Sequence, residues 1–210
     1  MRYCSDIIII MCIQYNMVAG SILPVALYKG KLHFLFGKEC PLEESAKGFS
    51  DFGGSLDGDE NPYEGALREG AEELTGFLGN KHELKKMISK NGGVYHIQVK
   101  NYHIHLFVMD YDANLPVNYN KHNKYLWETL PKEVMKTLYT KHHLFEKSEI
   151  EWFTPDMMTK RKKSFRNFYQ EMVSAIVKDL PNIRKFVDSK SKKTKTKNNS
   201  TKKDRSSDTT

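Results

Sequence analysis

The stretch that most constrains the fold is residues 61–76, NPYEGALREGAEELTG, which the residue spacing predicts to be a one-sided helix. Asn61 suits the N-cap, Pro62 suits the first helical position, and Glu64 lies where a capping box requires a carboxylate. Apolar and small residues at i, i+3 and i+4 spacing form one stripe: Tyr63, Ala66, Leu67, Gly70, Ala71 and Leu74. Gly76 or Gly79 is expected to end the helix. The stripe must be buried against another layer of the fold.

The same helix carries three carboxylates on one face, from Glu69, Glu72 and Glu73. Like charges at i, i+3 and i, i+4 destabilise a helix by about 0.2–0.5 kcal/mol per pair, and Arg68 is the one base in residues 53–76. Hard divalent cations bind carboxylate oxygens, and Mg²⁺ often bridges such groups to substrate phosphates. The pattern therefore predicts a metal platform that holds a polyphosphate; the alternative is a solvated acidic face.

The rest of the chain favours a mixed sheet flanked by helices. Two β-rich runs joined by Lys29-Gly30 predict a hairpin, in which Pro24 marks an edge strand or an interruption. The predicted strands cover 21–28, 31–36, about 49–52, 94–100, 103–111 and 149–153, the predicted helices cover 82–89, 131–139 and 163–179, and a long polar loop is predicted at 112–130. Strands and helices mix without βαβ regularity, which predicts an α+β fold.

The net charge of +7 is concentrated at the C-terminal end of the chain. Residues 189–210 contain seven Lys, one Arg and two Asp and no large apolar side chain, so this segment is expected to be disordered. It is interpreted as a solubilising end, as a patch that attracts RNA or another polyanion, or as a nuclear address. The predicted organisation is an N-terminal extension or strand (1–20), one domain (21–186) and a Lys-rich tail (187–210).

The N-terminal region contains a run of seven apolar residues, 7–13, behind Arg2. This run is interpreted as a buried strand, as a signal or anchor, or as a poorly structured extension before a domain that begins near Met17. No window reaches the roughly 18 apolar residues that span a bilayer, so no membrane partner is expected. Three cysteines without CxxC spacing suit a reducing compartment, so an intracellular protein is expected, in the cytoplasm or, through the tail, in the nucleus.

The acidic helix belongs to a longer pattern that resembles the Nudix box, G-x5-E-x7-R-E-U-x-E-E-x-G-U, where U is a bulky apolar residue. The literal positions are occupied by Gly54, Glu60, Arg68, Glu69, Glu72 and Glu73. Two departures are present: Gly70 replaces a bulky residue, and Leu74-Thr75 places two residues before Gly76 where the family usually has one. The resemblance covers about 21–180 and includes GFSDFGGSLDGDE (48–60), whose F-G-G is similar to members from large DNA viruses, and EIEWF (149–153).

This resemblance implies an α/β/α sandwich with a mixed sheet and a catalytic loop-helix. It implies metal-dependent hydrolysis, with Mg²⁺ or Mn²⁺, of a pyrophosphate bond in a nucleoside diphosphate-linked substrate. Glu69, Glu72 and Glu73 would be the metal ligands, and one of them or a carboxylate from elsewhere would be the general base. Glu60 and Arg68 would form an orienting salt bridge. Gly53 and Gly54 would let the backbone approach the metal or phosphate, or form a simple turn.

Further candidates lie outside the box. Glu149 and Glu151, followed by Glu146, are candidates for an additional base or ligand, with Asp51 and Asp57 behind them. His103 and His105 share a strand face but lack the further ligands that a metal site needs. Four aromatic residues are candidates for stacking on a base or, by default, for core packing: Tyr28, Phe52, Tyr102 and Phe107.

Two other functions stay open at this stage. One is removal of the 5′ cap from RNA by the same chemistry, with the basic tail as the RNA contact. The other is a catalytically inactive fold that binds a nucleotide or RNA.

Overall fold

The strands form one mixed, seven-stranded sheet in a computed structural model that describes residues 18–42, 47–142 and 144–190. The strands are β1 Ala19–Tyr28, β2 Lys31–Glu39, β3 Phe49–Ser50, β4 Phe52–Ser55, β5 Val94–Val99, β6 Tyr102–Val108 and β7 Lys147–Phe153. The helices are α1 Pro62–Glu73, α2 Lys81–Lys90, α3 Asn114–Thr129, α4 Lys132–His142, α5 Pro155–Lys160, α6 Tyr169–Lys178 and α7 at 180–190, with a 3₁₀ turn at Lys162–Ser164.

Strand β1 is at the centre of the sheet. It runs parallel to β6, and on its other side it pairs antiparallel first with β4 and then with β2. β2 also pairs with β7 and β3, and β5 with β6. The prediction that Pro24 marks an edge strand is wrong, but the predicted interruption is present. Pro24 lies between the β4 pairing, which ends at Ile22, and the β2 pairing, which begins at Val25, so its missing N–H removes no ladder bond there.

Helices cover both faces of the sheet, so the architecture is a three-layer α/β/α sandwich and the predicted α+β class is confirmed. Alternate residues of β1 point to opposite faces. Ile22 and Ala26 pack with Leu67 of α1 on one face. Leu23 packs with Val173 of α6 on the other.

Helix α1 begins as predicted, because the Asn61 side chain accepts from the backbone N–H groups of Tyr63 and Glu64 and the capping box is complete. Its predicted end is wrong: the helix stops at Glu73, before either glycine. Thr75 already has a φ of 48°, in the left-handed region. Gly70 allows close packing on β1, because a Cβ there would lie 2.3 Å from Ile22 Cδ1.

The long loop predicted at 112–130 is a helix, α3. Leu115, Tyr119 and Asn123 recur every four residues and are buried. The Tyr119 hydroxyl donates to the backbone oxygens of Glu73 and Lys147, at 2.9 and 3.1 Å. These tertiary contacts favour a helix that the polar, Asn-rich sequence does not indicate.

The helix predicted at 163–179 begins later than expected. Phe165 forms a parallel bridge with Phe49 and lies outside any helix, and α6 starts at Tyr169. The other predicted helices and strands are present with shifts of a few residues at their ends.

Two predictions lie wholly or largely outside the described residues: the apolar run at 7–13 and the disordered tail. α7 continues past the predicted tail boundary at 187 to residue 190, and Val187 is buried. Among the helices that the structure describes, none is both long and apolar enough to cross a membrane.

Candidate active site

The carboxylate face of α1 opens into a cavity of about 450 Å³, which we call the acid cavity. Its walls come from α1, the end of β4 and the segment before β7. The lining residues are Glu39, Gly53, Gly54, Ser55, Asp57, Arg68, Glu69, Glu72, Glu73, Tyr139, Glu146 and Arg166. The structure thus brings Glu69, Glu72 and Glu73 of the box pattern and both predicted glycines to one place.

Three carboxylates converge most closely in the acid cavity. One oxygen each from Glu69, Glu73 and Glu146 lies within 4.8 Å of the other two. Glu72 also lines the cavity, but its side chain is 40% exposed and lies 3.5 Å from an Arg68 nitrogen. Glu146, the lower-ranked candidate from outside the box, therefore completes the tight group.

Arg68 and Glu60 form the expected salt bridge. The guanidinium donates to both Glu60 oxygens and, through its other nitrogens, to Glu69 at 2.9 Å and to the Ser55 backbone oxygen at 3.0 Å. The hydrogen bond from Arg68 lowers the pKa of the Glu60 carboxyl. Burial raises the pKa of Glu69, and Arg68 opposes this effect. One arginine therefore ties the loop after β4 to the helix and orients a carboxylate of the cavity.

Glu73 is the most buried acid of the box. One of its oxygens accepts the Gly53 N–H at 2.9 Å, and the other lies 2.9 Å from the Lys147 ammonium. Burial raises its pKa well above that of an exposed carboxyl, even though Lys147 favours the charged form. A Cβ at Gly53 would lie 2.3 Å from the Ser21 Cβ, so only glycine allows this backbone approach.

Lys147 lies at the centre of a buried ion network that the sequence did not predict. Its ammonium is fully buried and contacts Glu39 at 2.6 Å and the Ser50 hydroxyl at 3.1 Å, besides Glu73. Arg166 donates to the same Glu39 oxygen, Oε1, at 2.7 Å. Burial alone would lower the pKa of Lys147, but Glu73 and Glu39 outweigh it and raise that pKa. A lone lysine in EKSEIEWF carries no sequence signal for such a role.

Glu149 and Glu151, the first-ranked candidates for a further ligand, do not line the acid cavity. Glu149 pairs with Lys38 at 3.1 Å, and Glu151 forms a two-pronged pair with Arg161. The physical reason is strand register, because Glu149 lies opposite Lys38 on β2 and its side chain meets that residue.

The remaining candidates take other positions. Asp51 is fully buried, and the hydroxyl groups of Ser21 and Tyr102 donate to it. His103 contacts His96 at 3.0 Å. Within the described ranges, Glu69, Glu73 and Glu146 are the one group of three or more His, Cys, Asp or Glu residues whose donor atoms converge.

The aromatic candidates also separate. Phe52 and Phe107 are fully buried in the core, which matches their default interpretation. Tyr28 is 40% exposed and stacks on Tyr111 at a centroid distance of 4.2 Å. Tyr102 lines a second cavity, of about 540 Å³, next to the acid cavity; we call it the aromatic cavity, and its apolar lining residues include Val99, Phe168 and Met172.

The donor set of the acid cavity fits a hard divalent cation. Six carboxylates and two guanidinium groups line it, so its formal charge is strongly negative. Oxygen donors of this kind suit Mg²⁺ or Mn²⁺. A phosphate group would be repelled unless a cation entered with it. The residues present therefore fit the metal that the box pattern implies.

Comparison with known proteins gives weak similarities. No protein-family model matches the sequence, and a search of curated proteins finds no match. Similar solved structures include a C. elegans Ap4A hydrolase (13% identity, TM-score 0.44, 80% of this chain and 98% of that chain). Others are a mutT/nudix family protein from Listeria innocua (12%, 0.42, 81% and 98%) and the NUDIX domain of Shewanella oneidensis NrtR complexed with ADP ribose (10%, 0.42, 78% and 88%). The second and third of these structures are named as Nudix proteins.

Proposed function

We propose that this protein is a Nudix-type hydrolase that cleaves a pyrophosphate bond in a nucleoside diphosphate-linked small molecule, with Mg²⁺ or Mn²⁺ as cofactor. One observation carries the proposal. Glu69 and Glu73, which are four residues apart in a box-like pattern, meet Glu146 within 4.8 Å in a cavity. An acidic helix face with no ligand to bind would be expected to spread its charges into solvent.

The acidic residues have two different parts in this proposal. Glu69, Glu73 and Glu146 would hold the cation, and Glu72 would lie beside it at the solvent side. The cation, when bound, would neutralise charge on the pyrophosphate and lower the pKa of water. Arg68 and Glu60 keep the loop and the helix in register, so that the carboxylates stay together without rearrangement.

Hydrolysis also needs an acceptor for the proton of the attacking water. Water forms a bond to phosphorus, the bridging P–O bond breaks, and one proton leaves the water oxygen. We assign this proton to Glu72, because Glu69, Glu73 and Glu146 would hold the cation, whereas the Glu72 side chain is 40% exposed and can exchange the proton with solvent.

The test is hydrolysis of a substrate panel by the full-length chain with Mg²⁺ or Mn²⁺. The panel contains nucleoside triphosphates, ADP-ribose, diadenosine polyphosphates, inositol pyrophosphates and capped RNA. Turnover of at least one compound is expected, with a loss of about 100-fold or more in kcat for Glu73→Gln. Glu128→Gln, which changes an exposed acid on α3, is the matched control and should retain full activity.

Two results would overturn the proposal: no turnover of any compound, or turnover that Glu73→Gln leaves intact. Cleavage of capped RNA alone would replace the small-molecule substrate with RNA and would give the basic tail a role in binding.

A further inference from the structure

The aromatic cavity combines a volume of about 540 Å³ with apolar walls, which include the side chains of Val99, Tyr102, Phe168 and Met172. The Phe168 ring packs against Tyr102 and Tyr169, with ring centres 5.9 and 6.0 Å away. Phe168 is nevertheless 46% exposed, so part of the ring faces the solvent. Because removing apolar surface from water is favourable, such a cavity favours an apolar occupant.

Strand β1 begins at the rim of this cavity. Ala19, its first residue, lines the cavity, and its backbone N–H donates to the Asn101 backbone oxygen at 3.0 Å. Val18, the residue before the strand, is 37% exposed. The residues that precede β1 in sequence are therefore attached directly beside the aromatic cavity.

The sequence before β1 has the composition that this cavity favours. Residues 7–13, IIIIMCI, form an apolar run, and Arg2 and Asp6 are the charged residues of 1–17. Five residues, 14–18, separate the run from Ala19. Because an extended chain spans about 3.3–3.6 Å per residue, this linker reaches roughly 17 Å. The run is thus held within reach of the cavity, which raises its effective concentration there.

The Lys-rich tail fits the same cavity less well. Residues 191–210 contain no large apolar side chain, so they bring no apolar surface to bury. Two cations already line the cavity, Lys100 paired with Glu171 and Arg166 paired with Glu39, each at 2.7 Å. Further positive charge would be repelled there. Of these two segments, the apolar run is the better match.

We propose that residues 7–13 bind in the aromatic cavity and cover Phe168. The bound segment would close this cavity to a substrate. It would leave the acid cavity open, because the carboxylates that line the acid cavity do not line the aromatic one. Gly53, Gly54, Ser55 and Arg166 line both cavities, so the segment would form one side of the approach to the carboxylates. Binding of the segment does not depend on whether the protein is a hydrolase.

The first test is photo-crosslinking of the full-length protein. Phe168 is replaced by the photoreactive p-benzoylphenylalanine, the protein is irradiated, and the linked peptides are identified by mass spectrometry. A link to residues 7–13 within one copy of the chain is expected. Tyr125, an aromatic residue on α3 that is 62% exposed, is replaced in the same way as the matched control, and it should give no link to 7–13.

The crosslink should depend on the apolar character of the run. Ile9→Asp together with Ile10→Asp should lower the yield of the link by at least about 10-fold, because a buried carboxylate without a partner disfavours the bound state. Ser5→Asp together with Gln14→Asp adds the same charge just outside the run and should leave the yield unchanged. Equal yields in the two double variants would overturn the proposal.

A second test compares thermal unfolding midpoints of full-length variants. Phe168→Ala should lower the midpoint of the wild type more than that of the Ile9→Asp, Ile10→Asp protein, because residues in contact do not contribute independently. Equal losses in the two backgrounds would overturn the proposal.

The remaining outcomes assign the cavity to another occupant. Links from Phe168 that join two copies of the chain would replace the segment with a second copy, and the absence of any link to 7–13 would leave the cavity to an external ligand. Either result would overturn the proposal. Mn²⁺ binding by the Ile9→Asp, Ile10→Asp protein should equal that of the wild type. A loss of Mn²⁺ binding would overturn the proposal too, because the run would then act on the acid cavity.

Discussion

The acid cavity and the aromatic cavity share one strand but are held together by different forces. The acid cavity is organised by ion pairs: Arg68 on one side and the fully buried Lys147 on the other hold its carboxylates. The aromatic cavity is organised by ring packing and by a hydroxyl bond to Asp51. Carboxylates can lie close together in a buried site only when cationic side chains lie next to them. Apolar walls need only side chains that fit together.

Replacing the buried cation should have the largest effect on stability. Lys147→Met leaves Glu39 and Glu73 buried without their shared partner, so the free energy of unfolding should fall by about 3–5 kcal/mol. Urea denaturation measures this fall. Lys38→Met, which breaks an exposed pair with Glu149, should cost about 1 kcal/mol or less. A similar loss of unfolding free energy in both variants would contradict the prediction, because it would mean that the buried ion pair contributes no more than the exposed one.

The packing of α1 on β1 should respond to a single methyl group. Gly70→Ala improves helix propensity by about 1 kcal/mol, but its Cβ would lie 2.3 Å from Ile22 Cδ1. We expect net destabilisation of about 1–2 kcal/mol, because overpacking typically costs about 1–3 kcal/mol. In the double variant with Ile22→Ala, the loss of unfolding free energy should be smaller than the sum of the losses in the two single variants. A more stable Gly70→Ala protein would contradict this expectation and would show that the Ile22 side chain moves aside at little cost.

The support of the aromatic cavity should depend on pH. Burial raises the pKa of Asp51 to about 6, although Ser21 and Tyr102 favour its charged form. The folded state therefore disfavours the ionised group; this cost is absent below the ordinary pKa of 3.8, grows as the pH rises from 3.8 to about 6, and is constant at higher pH. Relative to the wild type, Asp51→Asn should gain about 1 kcal/mol of stability between pH 5 and pH 7. Urea denaturation of both proteins at the two pH values measures this gain, and a constant or opposite difference would contradict the assignment.

Much of the acid cavity follows from sequence because local spacing creates it. Asn61, Pro62 and Glu64 determine where α1 begins, and the period of the helix then puts Glu69 and Glu73 on one face. The start of the helix and its carboxylate face both depend on residues close in sequence, so the local sequence is enough to predict them.

The rest depends on contacts between distant segments. The sequence placed Glu149 and Glu151 before Glu146 as candidates, but the pairing of β7 with β2 turns Glu149 towards Lys38, and only Glu146 of the three lines the acid cavity. α3 escaped prediction for a similar reason. Its sequence is polar, and the bonds of Tyr119 to the backbones of Glu73 and Lys147 stabilise it only in the folded protein.

The most direct test of the central claim is Mn²⁺ binding, measured by calorimetry on the wild type and on single Glu→Gln variants. If Glu69, Glu73 and Glu146 form the cation site, Glu146→Gln should weaken Mn²⁺ binding by at least about 10-fold, whereas Glu149→Gln, which changes an acid of the same strand region, should leave it unchanged. Loss of binding in Glu149→Gln with normal binding in Glu146→Gln would contradict the account.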